Sequence, residues 1–117
     1  KEFIPGWNDN KKSTEPIKIE LNYLSIKDYC ELIDISQKAR DNIENGKIKS
    51  FSIMGELAMR MLPVFKTNIT KISNLTIDNR PIKIEELTQS PEFIELNSEI
   101  MNEMLMRAII SDINKKK

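Results

Sequence analysis

Apolar residues recur at helical spacing through the last quarter of the chain, and that stretch sets the expectations for the rest. Residues 90–113 carry no Gly and, after Pro91, no further Pro. Ser90 is placed as an N-cap, Pro91 as the first helical residue and Glu92 near the positive end of the helix dipole. Phe93, Leu96, Ile100 and Met104 follow at the period of one helix face. Ile94, Met101, Leu105 and Ala108 widen that face into a broad arc, and beyond it Met106, Ile109, Ile110 and Ile113 point in several directions. A helix that is apolar nearly all round needs cover on more than one side. The expectation is that part of this cover comes from another chain.

Upstream, Ile17, Ile19 and Leu21 alternate with Lys18, Glu20 and Asn22, which predicts a short half-buried strand. Ser25 opens a helix as N-cap, with Asp28 in the position of a capping-box acid. Ile26, Tyr29, Ile33 and Ile43 define its expected buried face, widened by Leu32 and Ile35, and Asn45-Gly46 reads as its C-terminal stop. A further helix is predicted over residues 51–62, capped by Ser50 or Ser52. Its stripes are Ile53, Leu57, Met61 and Met54, Ala58, Leu62, and Pro63 ends or kinks it. Gly55 within it is unfavourable by up to ~1 kcal/mol relative to Ala, which suggests a close approach of another backbone. Residues 69–77 read as a strand that turns at Asp78-Asn79-Arg80-Pro81 and returns through Ile82 and Ile84; residues 84–88 then form one helical turn. The fold class predicted is α+β, mainly helical: three principal helices, a short β-hairpin and an N-terminal strand. Residues 1–16 form an N-terminal arm, 17–114 a single helical domain with a small antiparallel sheet, and 115–117 a basic tail.

Composition narrows the function classes. The chain has 117 residues, enough for one core, with 18 basic and 18 acidic side chains. Nucleic-acid binders draw most of their affinity from a basic surplus, so that class is disfavoured. There is no His, which removes the commonest general base and metal ligand. The single Cys30 has no internal partner and is expected to pack as a small buried apolar residue. No apolar run approaches bilayer length and no signal peptide is visible, which points to the cytoplasm.

Candidate chemistry is sparse. Glu95, Glu99 and Glu103 form a carboxylate ladder that reads as the solvated side of the terminal helix, and Glu85-Glu86 is the other acidic group. No phosphate loop, dinucleotide fingerprint or Cys-pair metal site appears, so no catalytic, metal or cofactor residue is assigned. Asn68-Ile69-Thr70 and Asn74-Leu75-Thr76 match the glycosylation pattern by coincidence. All six Met lie on the two most apolar helices, and Met59 and Met106, off the main stripes, are expected to be exposed. Phe3 and the only Trp, Trp7, either tuck onto the core or anchor another chain. The partner-binding set expected is Phe3, Trp7, Met59, Leu105, Met106, Ile109, Ile110 and Ile113.

The segment Asn68-Ile-Thr-Lys-Ile-Ser-Asn-Leu-Thr-Ile-Asp-Asn-Arg-Pro-Ile-Lys-Ile-Glu-Glu-Leu87 leads to a Ser-Pro break and a long helix. With Phe3-Ile4-Pro5, Glu15-Pro16-Ile17 and Leu24-Ser25-Ile26-Lys27-Asp28-Tyr29 at the front, this order of elements resembles the small tail-assembly chaperones of tailed bacteriophages. The Lys115 to Lys117 end departs from that pattern. The resemblance implies a non-enzymatic protein of the host cell cytoplasm. It would bind apolar helical segments of a tape-measure-type protein until tail-tube protein takes its place. The alternative is a small self-associating structural phage protein, of the head–tail joint or baseplate, with the same apolar surplus facing an identical subunit.

Overall fold

A computed structural model of the chain describes residues 2–115, with side chains through residue 109. Strand β1 (Glu2–Phe3) is followed by a 3-10 helix (Trp7–Lys12), β2 (Lys18–Leu21) and helix α1 (Ile26–Asp41). A hairpin of β3 (Ile43–Glu44) and β4 (Lys47–Ile48) leads into α2 (Phe51–Asn68), then β5 (Ile69–Ser73), β6 (Thr76–Ile77) and β7 (Arg80–Pro81). Helix α3 (Ile84–Gln89), a 3-10 turn (Pro91–Phe93) and α4 (Ile94–Lys115) complete the described chain. The class is the mainly helical α+β fold that the pattern predicts. A three-stranded antiparallel sheet in the order β1-β2-β5 packs with the helices around one core.

The core follows the periodicity where the periodicity is strong. Ile17, Ile19 and Leu21 are buried along β2, and Phe93, Leu96, Ile100 and Met104 along the 3-10 turn and α4. On α1 the inward face is set by Leu32 and Ile35, whereas Ile26 is 85% exposed and Ile43 lies on the surface hairpin. Cys30 is exposed on the same helix rather than packed in the core. The Ser25 hydroxyl accepts from the Asp28 N–H at 3.1 Å, the expected cap. Ser90 makes no such bond; its carbonyl instead accepts from the Phe93 N–H at 3.1 Å, and the tighter turn delays the start of α4.

Three boundaries differ from the sequence expectation, each for a local reason. Asn45-Gly46 is a hairpin turn, not a helix stop. Both residues have positive φ (52° and 75°), the backbone that a two-residue β-hairpin loop needs. The α1 cap falls earlier, at buried Asn42, whose amide brackets Ser50: Nδ2 donates to the Ser50 carbonyl at 2.8 Å and Oδ1 accepts from its N–H at 3.0 Å. Helix α2 continues through Pro63 to Asn68. Proline in a helix interior is unfavourable by ~3 kcal/mol. Beyond it Val64 and Phe65 are buried, and a fully buried Phe recovers roughly 1.5–3 kcal/mol. The Asn68 amide adds bonds to the Val64 carbonyl at 2.9 Å and to Asp28 Oδ2 at 3.0 Å. Finally, β5 stops at Ser73 because Asn74 turns left-handed (φ 66°), and β5 pairs with β2. The hairpin is β6 with β7, closed by Asp78 and Asn79 at φ 51° and 62°.

The N-terminal arm is closed onto the domain, with Phe3 and Trp7 packed against its core. Phe3 sits opposite Ile19 in the sheet, and Trp7 packs on Phe93 with ring centroids 5.7 Å apart at 56°. Asn10 is buried beneath the 3-10 helix and holds the segment closed. Its Nδ2 donates to the carbonyls of Pro5 (2.8 Å) and Ile17 (3.1 Å), and its Oδ1 accepts from the Ile17 N–H at 2.7 Å. The ladder carboxylates also serve this closure. Glu99 accepts from the Gly6 N–H at 2.8 Å, while Glu103 pairs with Arg107, which donates to the Glu2 carbonyl. Lys1, Lys116 and Lys117 lie outside the described residues.

Replacing Asn10 by Ala removes these bonds and strands buried partners, so unfolding in urea is expected to show a loss of ~2–3 kcal/mol, with early amide exchange at residues 2–12. A second expectation concerns acid. Arg80 forms a two-pronged bond to Glu86, whose carboxylate also accepts from the Lys83 N–H, and together they lower the Glu86 carboxyl from 4.5 to about 2. Because the folded value is depressed, this contribution is complete above pH 4.5 and fades as pH falls toward 2. Stability measured across that window is expected to decline, and Glu86→Gln to flatten that decline.

Candidate functional groove

Helices α1 and α2 are clasped by charge on one side. Arg60 donates from Nε and Nη2 to the Glu31 carboxylate at 3.0 and 2.8 Å and from Nη2 to Asp34 at 2.8 Å; Lys38 adds a 2.7 Å contact to Asp34. The Arg60 guanidinium holds the Glu31 carboxyl below its ordinary range. Lys38 and then Arg60 do the same for Asp34. These partly exposed groups orient the two helices more than they stabilise them.

A groove opens where the C-terminal half of α1, the first half of α2 and the α3–α4 junction meet. It encloses a cavity of about 280 Å³. Ile35 and Ala39 form one wall, Met54, Ala58 and Met61 the second, and Ile94 and Met101 the third. Phe51, 71% exposed, stands at its edge. Gly55 also lines it, and a Cβ built there would meet nothing within 4 Å. The close backbone approach that Gly55 suggests is therefore not made among the described residues. Asn97, 4% exposed, lies in the α4 wall and donates to the Leu87 carbonyl at 3.0 Å, capping the end of α3.

None of the sequence-derived binding residues whose side chains are described lines this groove. Phe3 and Trp7 are half-buried against the core, and Leu105 belongs to the core itself, because α4 turns that part of its arc inward. Met59 and Met106 are exposed, 70% and 57%, and Ile109 is 48% exposed. The side chains of Ile110 and Ile113 lie outside the described residues. Sequence pattern missed the groove because its walls come from distant segments and several of its residues are small. Gly55, set in a stripe with Met54 and Ala58, was the available signal.

Among the described residues, no group of three or more Cys, Asp or Glu is placed to hold a metal ion, and no helix is long and apolar enough to cross a membrane. The arrangement offers apolar surface, small-residue relief and adaptable thioethers, which suit binding.

With open space at its Cβ, Gly55→Ala is expected to raise the unfolding free energy by ~0.5–1 kcal/mol, read as a higher urea midpoint at unchanged slope. Comparison with protein-family models, with curated proteins and with solved structures finds no match for this chain.

Proposed function

We propose that this chain is a non-enzymatic assembly chaperone that seats an apolar helical segment of a longer partner in the groove between α1, α2 and α4. The observation that carries the reading is the apolar cavity of about 280 Å³ with Gly55 open to it and Phe51 exposed at its edge. Small residues in such walls admit a helix backbone, and Met side chains adjust to its surface. The likeness to phage tail-assembly chaperones supplies the partner's class: a tape-measure-type protein in the host cell cytoplasm, held soluble until tail-tube protein displaces the chaperone. Exposed Met59, Met106 and Ile109 favour a second reading, in which copies self-associate as a small head–tail or baseplate component.

Co-expression with a long coiled-coil tape-measure-type protein is expected to yield a soluble complex that co-elutes in gel filtration. Gly55→Leu, which fills the groove from α2, is expected to abolish the complex while preserving the circular dichroism spectrum. Normal binding by that variant would remove the groove from the reading. Light scattering at several concentrations tests the second reading: a fixed-stoichiometry ring, broken by Met106→Glu, would replace the first.

A further inference from the structure

Asn45-Gly46 is the single Asn-Gly pair in the chain, and it forms the loop of the β3–β4 hairpin. Both residues are exposed. The register pairs Ile43 with Ile48 and Glu44 with Lys47, so the ladder closes outside the two loop residues. Among the described residues, neither the Asn45 side chain nor the Gly46 N–H has a hydrogen-bond partner. A Cβ built on Gly46 would meet nothing within 4 Å, so nothing shields the Gly46 nitrogen on that side. Asn45 has a positive φ of 52°, as both kinds of two-residue hairpin turn require at this position. The two kinds differ by a flip of the peptide between Asn45 and Gly46, and glycine accepts the change of φ that the flip imposes. In the flipped form the Gly46 nitrogen comes within reach of the Asn45 side-chain carbon.

We propose that this turn is a site of spontaneous covalent change, in which Asn45 becomes aspartate and isoaspartate with water as the only co-reactant. The Gly46 nitrogen gives up its proton to solvent and bonds to Asn45 Cγ. The Cγ–Nδ2 bond breaks, and Nδ2 takes a proton from water and leaves as ammonia. Water then opens the cyclic imide. Attack at Cγ restores the main chain with an aspartate. Attack at the Asn45 main-chain carbonyl leaves the chain running through Cγ, as isoaspartate. Nothing is oxidised or reduced. Other asparagines are screened. Asn97 precedes the small Ser98, but it is 4% exposed, its Nδ2 donates to the Leu87 carbonyl, and the N–H that follows lies within α4. Asn8, Asn74 and Asn79 also hold a positive φ, but Asp9, Leu75 and Arg80 follow them, and those side chains crowd the attacking nitrogen. Isoaspartate adds a carbon to the loop backbone and a carboxylate beside Glu44, which undoes the Glu44–Lys47 and Ile43–Ile48 pairs. The α1–α2 junction stays closed, because Asn42 brackets Ser50 from outside the hairpin.

The test is incubation of the intact protein in mildly alkaline buffer at body temperature, followed by tryptic digestion and mass spectrometry. The peptide 41–47 is expected to gain about 1 Da, assigned to Asn45 by fragmentation, at a rate roughly tenfold above that at Asn8, Asn74 or Asn79. Gly46→Asn, which keeps a residue tolerant of positive φ and adds a side chain over the nitrogen, is expected to slow the gain at Asn45 roughly tenfold. In amide NMR of the aged protein, residues 43–48 are expected to shift while Asn42, Ser50 and Phe51 keep their positions. Conversion of Asn45 no faster than that of Asn79 overturns the proposal. Conversion in urea with none in the folded protein overturns it as well, since the hairpin then protects the pair it presents. Shifts that reach Asn42 and Ser50 overturn the confinement of the change to the hairpin.

Discussion

The division of apolar residues around α4 is the constraint on which the rest of this fold depends. One face, continued from Phe93 through Leu96, Ile100 and Met104, closes the core with Leu32, Ile35, Phe65 and Leu87. Each such side chain contributes roughly 1.5–3 kcal/mol by leaving water, and α2 answers with its own buried run of Leu57, Met61, Val64 and Phe65. The remaining circumference is not uniform. Glu99 and Arg107 hold the N-terminal segment against one flank, Ile94 and Met101 line the groove on another, and Met106 and Ile109 stay in solvent. A single helix thus organises the interior, a tied-down terminus and an apolar cleft.

The second constraint is how α2 sits relative to its neighbours. The Arg60 contacts to Glu31 and Asp34 bring α1 and α2 together along one side. Farther along α2, small residues and the flexible Met54 and Met61 meet the α3–α4 junction, and the packing there leaves space. This mostly apolar space at the junction of three helices is open to the surface, the form that ligand and partner sites commonly take.

Much of this was legible in the residues themselves. The α4 stripe, the β2 alternation and the Ser25 cap were each dictated by local periodicity or local bonding, and the structure places them as read. What escaped the sequence was decided by contacts between distant segments. The closure of residues 2–16 onto the domain is hidden in the sequence because the polar run conceals Asn10, whose three bonds are made only once Ile17 is near. Pro63 reads as an end or a kink of the helix, and burial of Phe65 beyond it carries α2 onward. Exposure of Met59 and Met106 followed from their position off the stripes, whereas the groove required knowing that α2 and the α3–α4 junction would meet.

The sharp corners of this chain are made with very little glycine. Among the described residues six that are not glycine hold a positive φ, all of them Asn or Asp: Asn8, Asp9, Asn45, Asn74, Asp78 and Asn79. Each tolerates the left-handed backbone at a modest local strain, since the short polar side chain can bond to nearby peptide groups. Compared with glycine, each also leaves the denatured chain fewer conformations to lose on folding, a gain that partly offsets the strain of the left-handed backbone. The net cost of these corners is therefore set as much by the stiffness of the disordered ensemble as by any contact of the native molecule.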